Sequence, residues 1–479
     1  MGGTRPPSLP RVVPPPSPPL SPPPTPAPLL AGTDAIGSLA AMPTTALLDR
    51  LATPAQWACD TGLAVGDGRL LERSLPYPLP PAATISAFRQ SLIADGYFAL
   101  GPPPSPPAAA SWSTRTKAVG ALVDELRAAG LPAQFALLYE ETWRVADDVA
   151  RVLAPMHAAS AGGGSSAEGG GSSAEGGGSS AKGGCSSAEG GTKGGAQGSE
   201  SDVAHPELLR GLHDFFLFDV APGGSGWGAH RDRAGAGSVA RGFRASDGMP
   251  RYLTCWVALT DASPTTSCMY VLPAHADPGY GEEEAAGGEA AVAEEAAAGL
   301  GLGVVLASRH QHIRALPVGQ GAVLGWSHRL LHWGSASPPD APARRQALSF
   351  ALATPSFEPP ALQLPEGTVA PPLPSRLALI AFTLVGYSHM QPLSRALRRV
   401  LLAILCEHIG CLDDRALLSE RNEFARNVLG LAHDVEAEHE QGLEGGELLQ
   451  EERRAVRILC DYLEGALERL GGAVYRADE

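Results

Sequence analysis

Two residues in a glycine-rich stretch carry the chemistry most readily read from this chain. They are His230 and Asp232 of Gly226-Trp227-Gly228-Ala229-His230-Arg231-Asp232. In an extended backbone, residues two apart project to the same side. An imidazole nitrogen and a carboxylate oxygen can then aim at one point. A second histidine from a distant strand would complete two nitrogens and one oxygen on one face of a metal. With the remaining coordination positions open, that donor set is the pattern of a non-haem Fe(II) oxygenase. The stretch Gly325-Trp326-Ser327-His328-Arg329-Leu330-Leu331-His332-Trp333-Gly334-Ser335 offers two candidates for the third ligand, His328 and His332. They share parity in an extended chain, so spacing does not choose between them. His310 and His312 read as part of a solvated loop. The tripeptide His230-Arg231-Asp232 also occurs in protein-kinase catalytic loops. Here Gly237 stands where the asparagine of that loop is needed and no Asp-Phe-Gly follows, which excludes a kinase.

The elements that must position these groups are short and β-like. Phe215-Phe216-Leu217-Phe218 reads as a strand that delivers the chain to His230. Leu253, Cys255, Val257 and Leu259 alternate with Thr254, Trp256 and Ala258. Met269-Tyr270-Val271-Leu272 ends at Pro273, Ala322-Val323-Leu324 follows a Gly-Gln-Gly turn, and Gln346–Leu352 alternates small with large residues. Several short strands between turn residues point to a sandwich or small barrel. Before this region, the spacing predicts a helix carrying Phe88, Leu92 and Ile93, a strand over Tyr97–Leu100, and helices over about 115–129 and 134–154, with Tyr139 and Trp143 as core. After Pro360 the pattern is helical, over Leu377–Tyr387, Leu393–Ile409 and Gln450–Leu470.

The expected organisation is therefore a disordered proline-rich region at 1–80, a helix and strand segment at 82–156, a Gly/Ser-rich linker at 160–202, a β core at 205–356 and a C-terminal helical extension at 370–475. The linker repeats Gly-Gly-Gly-Ser-Ser-Ala-Glu with period seven but offers no large apolar side chain for a seam, which rules out a coiled coil. Residues 281–303 read as a solvated Ala/Gly/Glu insertion.

Composition narrows the function classes. The chain has 479 residues and a formal net charge of -15, from 36 Lys+Arg against 51 Asp+Glu. An acidic chain is a poor counterion for a phosphate backbone, so no nucleic-acid partner is expected. The arginines 231, 233, 241, 244 and 251 cluster near the site and could attract an anionic substrate or form a solvated run. Seven cysteines, none spaced Cys-x-x-Cys, indicate neither a disulfide framework nor a zinc knuckle. The compartment expected is intracellular, cytoplasmic or organellar. Arg5, Arg11 and the lack of acidic residues before Asp34 leave room for a transit peptide. No segment reaches the roughly 20 apolar residues of a spanning helix.

Taken together, His230-Arg231-Asp232, Leu253-Thr254-Cys255-Trp256-Val257, Cys268-Met269-Tyr270-Val271-Leu272-Pro273 and Leu331-His332-Trp333-Gly334-Ser335 resemble the phytanoyl-CoA dioxygenase family, over roughly residues 85–156 and 205–355. The resemblance implies an α+β fold: a double-stranded β-helix (jelly-roll, cupin-like) with flanking helices. It implies Fe(II), 2-oxoglutarate as cosubstrate and O2. It makes His230, Asp232 and His332 the iron ligands, with His332 preferred because Gly334-Ser335 follows it. Arg345 would grip the far carboxylate of 2-oxoglutarate and Trp256 would line the cosubstrate pocket, with Arg344 facing out. A guanidinium suits this task because it stays charged and offers two parallel donors. The activity implied is hydroxylation of a small or lipid-like organic molecule with release of succinate and CO2. Asp232 fills the position that halogenating relatives leave free, which favours hydroxylation. The alternative is a non-catalytic binding protein that keeps the fold. A third reading gives the C-terminal helices a protein partner.

Overall fold

The structure is a computed structural model that describes residues 35–61, 63, 65, 77–158, 208–233, 238–281, 300–358, 362–364, 370–388, 393–418, 424–440 and 446–471. The proline-rich residues 1–34, the Gly/Ser linker and most of the 281–303 insertion lie outside the described residues.

Among the described residues, nine strands form two antiparallel sheets. They are β1 (Tyr97–Leu100), β2 (Arg210–Val220), β3 (Trp227–His230), β4 (Tyr252–Ala258), β5 (Met269–Leu272), β6 (Arg314–Leu316), β7 (Val323–Ser327), β8 (Leu331–Gly334) and β9 (Arg345–Ala353). The larger sheet has the order β1-β7-β4-β9-β2 and the smaller one β3-β8-β5-β6. From β2 onward, successive strands pass between the sheets, except for β5 to β6. Trp256, Ala258, Leu324, Trp326 and Ala347 of the larger sheet pack with Met269 and Val271 of the smaller one.

The alternation along β4 is a division of labour rather than a division between inside and water. All seven of its residues are buried. Leu253, Cys255 and Val257 face the helices, in one core with Leu217, Leu348, Phe350 and Leu352. Thr254, Trp256 and Ala258 face the other sheet. The register pairs Trp256 with Ser349, so the large inward residue of β4 stands opposite a small one of β9. That size difference opens a cavity between the sheets instead of a filled core.

Helices cover the outer face of the larger sheet. Pro106–Ala128 and Glu140–Ala158 contribute Val119, Leu122, Trp143 and Val149, all essentially inaccessible. Tyr139 and Trp143 lie in the core. The C-terminal helices Leu373–Gly386, Arg395–His408, Phe424–Glu440 and Gly446–Arg469 join the same core. Arg376 anchors the first of them. Its guanidinium donates to the carbonyls of Pro371 and Leu138, each at 2.6 Å, and sits 3.5 Å from Glu140. No described helix is long and apolar enough to cross a membrane.

Three features depart from the sequence reading. Order begins well before residue 82: helices Ala35–Ala40, Thr44–Leu51 and Pro54–Thr61 bury Ile36, Leu39, Leu47, Leu51 and Trp57. The disordered region expected over 1–80 is corrected for these residues. The apolar side chains are sparse along the chain, but the helix Arg395–His408 gives them a surface to cover. The helix Phe424–Glu440 and the short strand β6 were not foreseen, since both have weak periodicity and depend on neighbours.

Two stability predictions follow from this packing. Arg376→Met removes the cation beside Glu140 and the donor to two buried carbonyls, and should lower the unfolding free energy by about 3 kcal/mol; a denaturation midpoint equal to the parent's would contradict the anchoring role. His157 is buried, and burial together with Arg244 pushes its imidazole down to about 4. The unfolded chain, with a histidine near its ordinary 6.5, then binds the proton first. Stability should fall as pH drops from about 6.5 to about 4. His157→Leu should flatten that slope in pH-dependent melts, and an unaltered slope would count against it.

Candidate metal centre

His230 and His332 are direct cross-strand partners at one level of the β3–β8 pair. Their rings lie 4.3 Å apart between centroids. Each ring is oriented by its own backbone: Nδ1 of His230 meets the Gly228 carbonyl at 2.8 Å, and Nδ1 of His332 meets the Leu330 carbonyl at 2.9 Å. Carbonyls only accept, so both Nδ1 atoms carry the proton and both Nε2 lone pairs point outward into the cavity.

Asp232 meets them there. Its Oδ1 is 3.5 Å from Nε2 of His230 and 3.5 Å from Nε2 of His332. Its Oδ2 is taken: Thr254 Oγ1 donates to it at 2.5 Å and Trp326 Nε1 at 2.9 Å. One oxygen is held and the other is presented. Metal–ligand bonds of about 2.1 Å at roughly right angles or a little wider would separate donor atoms by about 3.0–3.5 Å. The three groups are close enough for one ion and lie within 4.8 Å of one another. The Asp232 carboxyl is held far below the usual range: burial opposes its charge, but the two imidazoles and the Thr254 hydroxyl outweigh it. Burial drives the His332 imidazole down to about 4, which keeps it neutral. The His230 side chain is 36% exposed and His332 only 4%, so the cavity opens on the His230 side.

His328 does not join them. The chain turns between β7 and β8 at this residue, so parity along an extended strand does not apply to it. Its ring packs on Phe243 and Phe357. His310 and His312 fall in a short 3-10 turn away from the cluster.

The cavity that holds the triad measures about 240 Å³ and is also lined by Arg345 and Trp256. Arg345 is 1% exposed. Its Nε donates to Ser267 Oγ at 3.4 Å, and its guanidinium lies over the rings of Phe218 and Trp256 at 5.5 and 5.6 Å. Its Nη1 is buried with no hydrogen-bond partner among the described residues. Burial lowers it to about 10, so it stays charged at neutral pH. A buried cation with an idle donor and no carboxylate beside it fits an anionic ligand. Gly334 makes room for it, since a Cβ there would lie 2.9 Å from Arg345 Nη2. Arg344 faces away and pairs with Asp219 at 2.6 Å.

The other arginines near the triad are committed to the fold. Arg231 grips both oxygens of Asp277 at 2.9 Å, Arg233 reaches Glu358 at 3.2 Å and Arg244 reaches Asp247 at 2.7 Å. They pin the loop on either side of Asp232 rather than draw in a substrate. Thr254 and Trp326 escaped the sequence reading. Thr254 shares parity with Trp256, which was a usable signal; nothing local marks Trp326.

No protein-family model matches the sequence, and no curated protein matches it. Among solved structures, the chain is similar to AviO1 from Streptomyces viridochromogenes Tue57 (16% identity, 58% of this chain and 99% of that one, TM-score 0.33). It is also similar to two proteins of nogalamycin biosynthesis. One is the non-heme alpha-ketoglutarate-dependent epimerase SnoN (14%, 61% and 96%, TM-score 0.32). The other is the carbocyclase SnoK (15%, 59% and 87%, TM-score 0.33).

Thr254→Val keeps the shape of the side chain but removes the hydroxyl that holds Asp232 Oδ2. Divalent metal affinity should fall by roughly tenfold or more. Titration with Co(II) measures this, and a dissociation constant matching the parent's would show that the hydroxyl does not orient the carboxylate.

Proposed function

We propose that this protein is an Fe(II)- and 2-oxoglutarate-dependent dioxygenase of the phytanoyl-CoA dioxygenase type, hydroxylating a small or lipid-like organic substrate. The observation that carries the proposal is the convergence of His230 Nε2, His332 Nε2 and Asp232 Oδ1 in a cavity whose far end holds the buried Arg345. The passage of β2 to β9 between two sheets supports a double-stranded β-helix as the frame. Bound Fe(II) and 2-oxoglutarate would supply O2 activation coupled to oxidative decarboxylation of the keto acid to succinate and CO2, with the second oxygen atom going to the substrate.

Each residue has a task under this reading. His230 and His332 would hold the ion through their Nε2 atoms and Asp232 through Oδ1, its Oδ2 being retained by Thr254 and Trp326. Arg345 pairs with the distal carboxylate of the keto acid, which satisfies its idle Nη1. Trp256 walls the same end, and its buried Nε1, also without a partner among the described residues, can donate to that ligand.

The test is conversion of 2-oxoglutarate to succinate with added Fe(II). The parent should turn over slowly without substrate. His230→Ala, Asp232→Ala and His332→Ala should each reduce the rate by roughly a hundredfold or more. Arg345→Leu should raise the KM for 2-oxoglutarate by about tenfold or more. Turnover unaltered in the three ligand variants would sink the proposal.

A further inference from the structure

The cavity has two ends with different chemistry. Arg345, Phe218 and Trp256 form one. Asp214, Arg233 and Tyr252 form the other. Strand β2 runs between them, and Asp214, Phe216 and Phe218 occupy alternate positions on it, on the face turned to the cavity. Each step of two residues covers roughly 7 Å. A carboxylate, a ring and a second ring therefore stand in a row leading to Arg345.

The middle of this row is walled by aromatic rings from three separate segments. Phe216 meets Trp227 of β3 at 5.3 Å and Tyr387 at 5.3 Å and 84°. Trp227 meets Tyr387 at 5.6 Å and 69°. Tyr387 directly follows the C-terminal helix Leu373–Gly386, whose last turn it closes by donating its amide to the Thr383 carbonyl at 3.0 Å. All three rings are only half-buried and line the cavity. Together they give the cavity an aromatic wall of ring edges and faces against which a flat apolar group can pack.

Asp214 supplies the polar end. Its side chain is 42% exposed, and its Oδ2 receives only long contacts, from Tyr252 at 3.4 Å and Arg233 at 3.5 Å. Arg233 already offsets its charge and would repel a cationic amine, so the partner that fits is a neutral donor. The volume of about 240 Å³ lies below the roughly 300–1,000 Å³ of sites for drug-sized ligands and suits a compact molecule.

Building on the oxygenase reading, we propose that the substrate is a compact ring compound bearing a hydroxyl, whose apolar face rests on Phe216, Trp227 and Tyr387 and whose hydroxyl donates to Asp214. Tyr387 is then a specificity-determining residue contributed by the C-terminal helical segment, which completes the pocket that the strands leave open.

The test uses the metal-free full chain and 2-naphthol as probe, with binding read by calorimetry. The parent should bind 2-naphthol more tightly than naphthalene. Tyr387→Ala should weaken 2-naphthol by roughly tenfold and Tyr387→Phe by no more than about twofold. Asp214→Ala should erase the advantage of 2-naphthol over naphthalene. Should Tyr387→Ala melt early, Tyr387→Leu gives the same comparison with the volume kept. No binding of 2-naphthol by the parent, or equal binding by the Tyr387 variants, overturns the proposal. Failure of the oxygenase reading looks different: 2-naphthol would bind in a Tyr387-dependent manner while 2-oxoglutarate is never decarboxylated.

Discussion

The carboxylate of Asp232 is the point on which this structure turns. Thr254 and Trp326 hold one oxygen, and the other is left facing two imidazole nitrogens. A carboxylate buried here without those two donors would be costly in a low-dielectric site. With them its orientation is fixed, and the two imidazoles help keep it ionised. The donors come from β4 and β7, the histidines from β3 and β8, and the aspartate from the loop after β3. The larger sheet therefore orients the acid while the smaller sheet supplies the bases. Separating the two sheets would dissolve the site even if every strand kept its shape.

The same economy explains why the cavity exists. Small residues Ala347, Ser349 and Ala351 run along β9 on the face turned to the smaller sheet, the last two opposite the larger Trp256 and Thr254 of β4. Interiors are normally filled to crystal-like density. Here the row of small side chains withholds that filling beside the triad, and Gly334 withholds it beside Arg345. The buried guanidinium between two aromatic rings is tolerated because those ring faces offset part of its lost hydration. Its remaining donor waits for an anion.

Helices do more than cover the outer face. The N-terminal helices and the C-terminal bundle meet each other as well as the sheet, with Arg376 bridging to Leu138 and Glu140 and Arg399 to Met42. The C-terminal helix that Arg376 fastens ends at Tyr387, beside Phe216 and Trp227. A segment in which the sequence shows no chemistry thus reaches the cavity wall.

Local pattern alone marked the His-x-Asp pair and the strands around it, because period-two alternation and turn residues are short-range signals, while Arg345 and Arg344 were singled out by the family resemblance. It left His328 and His332 undecided, since the turn at Ser327–Leu330 that breaks their common parity is a tertiary event. It could not find Trp326 or Tyr387, whose roles arise from chain segments far apart in sequence. It also misjudged residues 35–61, where scattered leucines become a buried face only once the helix Arg395–His408 lies against them and Trp57 only once it meets Phe135. Backbone spacing determines which way a side chain points, but only the packed sheets and helices decide what stands within bonding distance of it.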